Sequence, residues 1–160
     1  MNASLQTAFP KEHLAKLLAT PFRQLTPGQM ILRILLKVNP DILKNLQFHE
    51  KVNYWWVQIH SSVFGEIVLC FWLPKSWSER HDHYYTWNLS IVLLNKLLAR
   101  KYRVSSSKFF TFHKAEVGEM GITTTLPWQV HSLANPFDEL CISINFYALR
   151  RPSVSLVVED

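Results

Sequence analysis

Most of this chain is a succession of short apolar segments, and this pattern constrains the fold more than any other feature. From about residue 52 onward, runs such as VNYWWVQIH, GEIVLCFWL and ELCISINFYAL are rich in aromatic and β-branched residues. Proline, glycine, asparagine and serine residues separate these runs at short intervals. Such spacing is typical of an antiparallel β-sandwich or β-barrel. The sequence has no glycine-rich phosphate loop and no strand–helix alternation, so we expect a mainly β protein.

The beginning of the chain has helical periodicity instead. The segment LTPGQMILRILLKVNP places apolar residues on one helix face, with Thr26 as the N-cap and Pro27 at the first helical position. The segment KEHLAKLLATPF has the same period. We therefore predict one domain over residues 1–160, with a short α-helical lead-in over 1–48 and a β-body over 49–160.

Composition excludes several classes of protein. Hydrophobic residues make up 48% of the chain and charged residues 18%, which argues against disorder. The sequence contains no apolar run of the ~20 residues that a membrane span needs, and its start does not resemble a secretory signal. We expect a cytoplasmic protein, with Cys70 and Cys141 as buried free thiols in their apolar runs. The net charge is +5, but the basic residues are scattered, so we expect no nucleic-acid partner.

A pair of histidines, His81 and His83, flanks Asp82 in the segment SERHDHYYTW. On a β-strand, residues i and i+2 point to the same side with Cα atoms about 6–7 Å apart, so both imidazoles could bind one metal ion. Asp82 would point to the opposite side, whereas Glu79 shares the parity of the histidines. Such pairs also occur as solvated strand residues, and a third ligand must come from elsewhere. The candidates are His131, His113, His60 and His49.

The surroundings of these histidines resemble a cupin barrel and, more closely, the cysteine dioxygenase family of thiol dioxygenases. The run HDHYYTWNLSIVLLNKL resembles that family's first metal motif. The run VHSLANPFDELCISINFY resembles its second motif, in which His131 is followed by Asn135 and then by a strand ending in tyrosine. The resemblance covers about residues 45–150. The glutamate that follows the His-x-His pair in other cupins is absent, since Trp87 and Asn88 are near its place.

This resemblance implies a cupin-type β-barrel that holds Fe(II) through His81, His83 and His131. It also implies that a small thiol, either cysteine or a mercapto acid, is oxidised by O2 to its sulfinic acid. Nickel or zinc could replace iron in the purified protein. The implied partners are the thiol substrate and O2, and we expect a monomer or a weak homodimer without membrane attachment.

The same resemblance implies roles for one strand near the metal. In this family the strand carries a serine, a histidine and a tyrosine that face the iron. Ser143 and Tyr147 match this pattern, and Asn145 replaces the histidine. Asparagine can hydrogen-bond to the tyrosine hydroxyl, but it does not exchange a proton near neutral pH. Asn88 stands where some members have a cysteine that is cross-linked to the tyrosine.

The predicted substrate-binding residues are Tyr54, Trp56 and Gln58. Family members have a Tyr-x-Arg sequence whose guanidinium binds the carboxylate of cysteine, and here Trp56 occupies the arginine position. Tryptophan cannot pair with a carboxylate as arginine does. The candidates for a replacement cation are Arg80, Arg150 and Arg151.

Two alternatives stay open at this point. One is a different metal-dependent cupin enzyme with a non-thiol substrate. The other is a catalytically inactive cupin that binds a small ligand. An aromatic cavity formed by Trp56, Tyr85, Trp87 and Trp128 would suit either.

Overall fold

Two antiparallel sheets form the body of the protein. The structure is a computed structural model that describes residues 12–49, 53–106 and 108–148. Its strands are β1 (Gln47–His49), β2 (Tyr54–Ser62), β3 (Gly65–Trp72), β4 (Ser76–Trp77), β5 (Trp87–Leu94), β6 (Leu97–Ser105), β7 (Lys108–Val117), β8 (Ile122–Thr125), β9 (His131–Asn135) and β10 (Cys141–Ala148). One sheet has the order β1-β2-β3-β10-β5-β8 and the other β4-β9-β6-β7. The prediction of a mainly β sandwich is confirmed.

Two helices precede the sheets, as predicted. Helix α1 covers residues 12–19, and helix α2 is Pro27–Val38. Thr26 caps α2, since its hydroxyl accepts a hydrogen bond from the Gln29 backbone while the Gln29 side chain accepts one from the Thr26 backbone. Short 3₁₀ turns follow each helix, at Phe22–Gln24 and at Pro40–Leu43. Strand β1 begins at Gln47, so the β-body starts two residues before the position we expected.

The six-stranded sheet is apolar on both faces. Its outer face packs against the helices, where Leu32 of α2 joins the buried residues Phe71 and Ile142. Its inner face turns toward the four-stranded sheet, and there Val92 packs with Leu133 of β9. Since side chains alternate along a strand, the four central strands β2, β3, β10 and β5 contribute to both clusters.

The prediction that both cysteines are buried free thiols is confirmed. Cys70 and Cys141 are buried free thiols, and burial raises the pKa of Cys141 far above its ordinary value. Asn95 forms the β5–β6 turn in the left-handed region, with φ of 57°, and its amide donates to the Leu140 carbonyl at 2.7 Å. None of the described helices has both the length and the hydropathy that crossing a membrane requires.

Candidate metal centre

Three histidines from two distant segments meet between the sheets. The ring nitrogens of His81, His83 and His131 that could bind a metal lie within 4.8 Å of one another. The ring centroids are 4.4 Å apart for His81 and His131 and 4.8 Å apart for the other two pairs. Within the part of the chain that the structure describes, no carboxylate or thiol belongs to this cluster.

The backbone around the histidines differs from the prediction of a continuous strand. His81 forms an isolated bridge with His131, each donating its backbone N–H to the other's carbonyl, at 3.1 and 2.9 Å. The chain turns directly after His83, because Tyr84 is left-handed, with φ of 52°, and its N–H donates to the Asp82 carboxylate at 3.0 Å. The strand prediction was wrong for this segment, although the two rings meet as expected.

Backbone carbonyls orient two of the rings. His81 Nδ1 lies 2.8 Å from the Glu79 carbonyl oxygen, and His131 Nδ1 lies 3.3 Å from that of Gln129. A carbonyl accepts hydrogen bonds only, so each Nδ1 carries a proton, and in the neutral ring Nε2 then presents its lone pair. Metal-binding histidines are commonly fixed in this way. Glu79 therefore contributes its backbone oxygen, which orients the ring of His81.

Electrostatics keep His131 uncharged. Burial lowers the pKa of His131 well below its usual value of 6.5, and the neighbouring rings of His81 and His83 lower this pKa further. A neutral imidazole is the form that binds metals. Three such donors without a carboxylate fit a divalent transition metal such as iron, nickel or zinc, so this donor set is suited to the predicted ion.

Strand β10 places the predicted catalytic side chains on the inner face. The ring of Tyr147 packs edge-on against that of His83, with centroids 5.0 Å apart. Asn88 is directly opposite Tyr147 on β5. The structure thus brings Tyr147 to the histidine cluster and places Asn88 beside it.

A buried hydrogen-bond network holds the other two residues of this strand. The Asn145 side-chain oxygen lies 2.6 Å from the Ser90 hydroxyl, and its amide donates to the Ser143 hydroxyl at 3.2 Å and to the Val68 carbonyl at 3.4 Å. The Trp72 indole also donates to Ser143, at 3.0 Å. Both amide protons of Asn145 are therefore committed to groups on its own strand and on β3.

The predicted substrate-binding residues lie on strand β2, on the face that turns inward. Tyr54, Trp56 and Gln58 are in register, through β3, with Cys141, Ser143 and Asn145. Trp56 is half-buried and packs against the inner core, whereas Gln58 is exposed. None of the three is in register with Tyr147, and their contact with a substrate stays a prediction.

Sequence reasoning missed the residue that is in register with Tyr147 on β3. This residue is Glu66, which is only 8% exposed and shares the inner face of its strand with Val68. It is also the only charged residue in the strand GEIVLCFW. This single acidic residue in an otherwise apolar strand was the feature of the sequence that could have identified it.

Sequence reasoning also missed Lys101. Strand β6 places it in register with His131 of β9 on one side and with His113 of β7 on the other. It lies two residues beyond Ala99 of the inner core, so it shares the inner face. Lys101 could not be recognised in the sequence, because it belongs to the basic stretch ARKYR, which is typical of a solvated strand.

The remaining candidates are elsewhere. His113 and His60 are exposed and do not join the cluster, and the side chain of His49 lies outside what the structure describes. The Arg80 guanidinium lies over the rings of Tyr102 and Phe109, at 5.5 and 5.2 Å from their centroids. Arg150 and Arg151 are outside the described residues.

The aromatic cavity is present only in part. Trp87 lines a depression of about 450 Å³ together with Glu66, Asn88 and Tyr147. Trp56, Tyr85 and Trp128 do not line this depression, and Tyr85 and Trp128 are 53% and 66% exposed. Tyr85 and Trp128 lie in turns near the metal-motif histidines, where the alternation of a strand no longer applies.

Comparisons with known proteins define the fold. No family model matches the sequence, and no curated protein matches it significantly. The cupin domain of Schizosaccharomyces pombe Cnp3 is similar in structure, with 9% identity, a TM-score of 0.55 and coverage of 66% of this chain and 69% of that one. The chain has a cupin fold.

Two further structures agree. An uncharacterised Klebsiella pneumoniae protein with a double-stranded β-helix domain has 14% identity and a TM-score of 0.53, with coverage of 64% of this chain and 77% of that one. Oxalate oxidase in complex with glycolate has 11% identity and a TM-score of 0.54, with coverage of 66% and 55%. At such identities the similarity defines the cupin scaffold, and the chemistry must be argued from the site.

Proposed function

We propose that this protein is an Fe(II)-dependent dioxygenase that converts a small thiol into its sulfinic acid. One observation carries the proposal: three imidazoles converge without a carboxylate among the described residues, and Tyr147 packs against one of them. The overall reaction, RSH + O2 → RSO2H, balances without an external reductant. Both oxygen atoms are added to sulfur, and the thiol is the species oxidised.

The donor set favours a thiol over other substrates. His81, His83 and His131 would hold the iron, and as neutral ligands they leave its charge of +2 uncompensated. Such a site favours an anionic ligand, and a thiol near a divalent metal is deprotonated readily. When bound, Fe(II) supplies open coordination positions for the thiolate and for O2.

The surrounding residues orient the substrate and control protons. The Tyr147 phenol is next to a metal-ligating ring, where it can donate a hydrogen bond to a bound substrate. Asn145 cannot exchange protons near neutral pH, and its amide is fixed by Ser143 and Val68. We therefore assign proton donation to Tyr147 and rigid support to Ser143 and Asn145.

Oxygen uptake tests this function. The purified protein would be loaded anaerobically with Fe(II) and mixed with O2 and a panel of thiols, including cysteine, cysteamine and 3-mercaptopropionate. We expect one O2 consumed per thiol lost, with the sulfinate identified by mass spectrometry. His131→Ala should lose both the metal and the uptake, because a buried ligand is removed, whereas His113→Ala should retain both.

Two results would contradict the proposal. Absence of uptake with every thiol, despite one bound iron per chain, would favour the non-thiol and non-enzymatic alternatives. Loss of iron in His113→Ala as complete as in His131→Ala would show that the ligand set is wrong.

A further inference from the structure

Lys101 is a cation on the wall of the metal centre. It is directly opposite His131, and directly opposed side chains in an antiparallel pair have Cβ atoms about 4.5–5.5 Å apart on the same face. Its flexible four-carbon stem extends from a half-buried position. The positive charge of Lys101 contributes to the lowered pKa of His131, after burial and the two other histidines.

The charge of Lys101 is available to a ligand. Within residues 12–49, 53–106 and 108–148, lysines 44, 75 and 96 each form a salt bridge, but Lys101 forms none. Arg103, two residues further along β6, is exposed, lies over the ring of Phe112 at 5.2 Å and is beyond the segment that β9 pairs. A half-buried ammonium beside the three imidazoles favours an anion in the space between them.

We propose that Lys101 binds the carboxylate of the substrate and makes the enzyme selective for thiols that carry an acid group. This inference rests on the proposed function. The anion site would then be on the four-stranded sheet, beside His131. In the family that the sequence resembles, the carboxylate-binding arginine is at the position of Trp56, which is on the six-stranded sheet. Because β2 offers Tyr54, Trp56 and Gln58 on its inner face and no cation, the carboxylate is bound from the opposite wall.

Binding to a redox-inert form of the protein tests the role of Lys101 separately from turnover. The protein would be loaded with Co(II) without O2 and titrated calorimetrically with 3-mercaptopropionate and with the neutral analogue 3-mercapto-1-propanol. We expect the wild type to prefer the acid. Lys101→Met should weaken binding of the acid by roughly tenfold to a hundredfold and leave binding of the alcohol unchanged. Lys101→Arg should restore much of the preference.

Lys114→Met is the matched control. Lys114 lies next to His113 on β7 but on the other face and is exposed, so its removal should leave both affinities unchanged. Equal binding of the two thiols by the wild type, or equal weakening of both by Lys101→Met, would overturn the inference. If no thiol supports oxygen uptake while the Lys101-dependent preference persists, the proposed function fails and the anion site stands.

Discussion

The orientation of a metal-binding imidazole depends on the hydrogen bond made by its other nitrogen. For His81 and His131 that bond goes to the carbonyl two residues earlier, so the local backbone supplies it. Tyr147 is placed differently, because its ring packs against His83 and comes from another strand. Under the proposed function, metal binding and proton donation would therefore be separable at the level of single residues.

Tyr147→Phe tests this separation. The ring and its packing against His83 are kept, so we expect the iron content and the KM for thiol to change little. Loss of the phenolic proton should lower kcat by roughly a hundredfold, as is usual when a proton donor is removed. Metal analysis and oxygen uptake measure the two quantities. An unchanged kcat would reduce Tyr147 to a packing residue.

Site residues that belong to a short sequence motif could be predicted from the sequence. Residues that reach the site only through strand pairing could not. The three histidines could be predicted because their motifs occur in order along the chain. Glu66 and Lys101 face the site only because their strands pair with β10 and β9, and pairing cannot be read from either strand alone.

At the scale of secondary-structure elements, a local hydrogen bond can override the strand pattern of a sequence. The segment at His81 alternates as a strand would, yet the Asp82 carboxylate accepts from the Tyr84 backbone and turns the chain. Helix α2, in contrast, forms as its sequence predicts, because its cap, its first proline and its apolar face agree. Gly28 lets α2 approach the sheet closely, because a Cβ added at this position would clash with the backbone of Leu93 on β5.

Gly28→Ala should therefore destabilise the protein, although alanine is the better helix former. The methyl group has to displace either α2 or β5, and we expect the free energy of unfolding to fall by about 2 kcal/mol or more. Urea denaturation measures this change. Gly118→Ala is the control, because a Cβ there meets no atom within 4 Å, and it should change stability by less than about 0.5 kcal/mol. Equal effects would contradict the close approach of α2 to the sheet.

For the whole molecule, the buried histidine cluster links stability to pH. In the folded protein the pKa of His131 is well below 6.5, whereas in the unfolded chain it has its usual value. Below pH 6.5 the unfolded state therefore binds a proton that the folded state does not. Stability is fully present above that pH and decreases as the pH falls toward the folded-state pKa.

Chelator-treated, metal-free protein should accordingly unfold at a lower urea concentration at about pH 5.5 than at about pH 7.5. The slope contributed by His131 is at most about 1.4 kcal/mol per pH unit. His131→Gln removes the titrating ring and should flatten the profile. Identical profiles for the two proteins would mean that His131 is not held neutral by the fold.

The helices and the metal centre lie on opposite faces of the six-stranded sheet, and this has a consequence for inherited or engineered variants. A substitution at the outer interface changes the fraction of molecules that fold, while each folded molecule keeps an intact histidine cluster. In a living cell such a variant would be depleted by proteolysis. The surviving protein, once purified, should bind metal as its parent does.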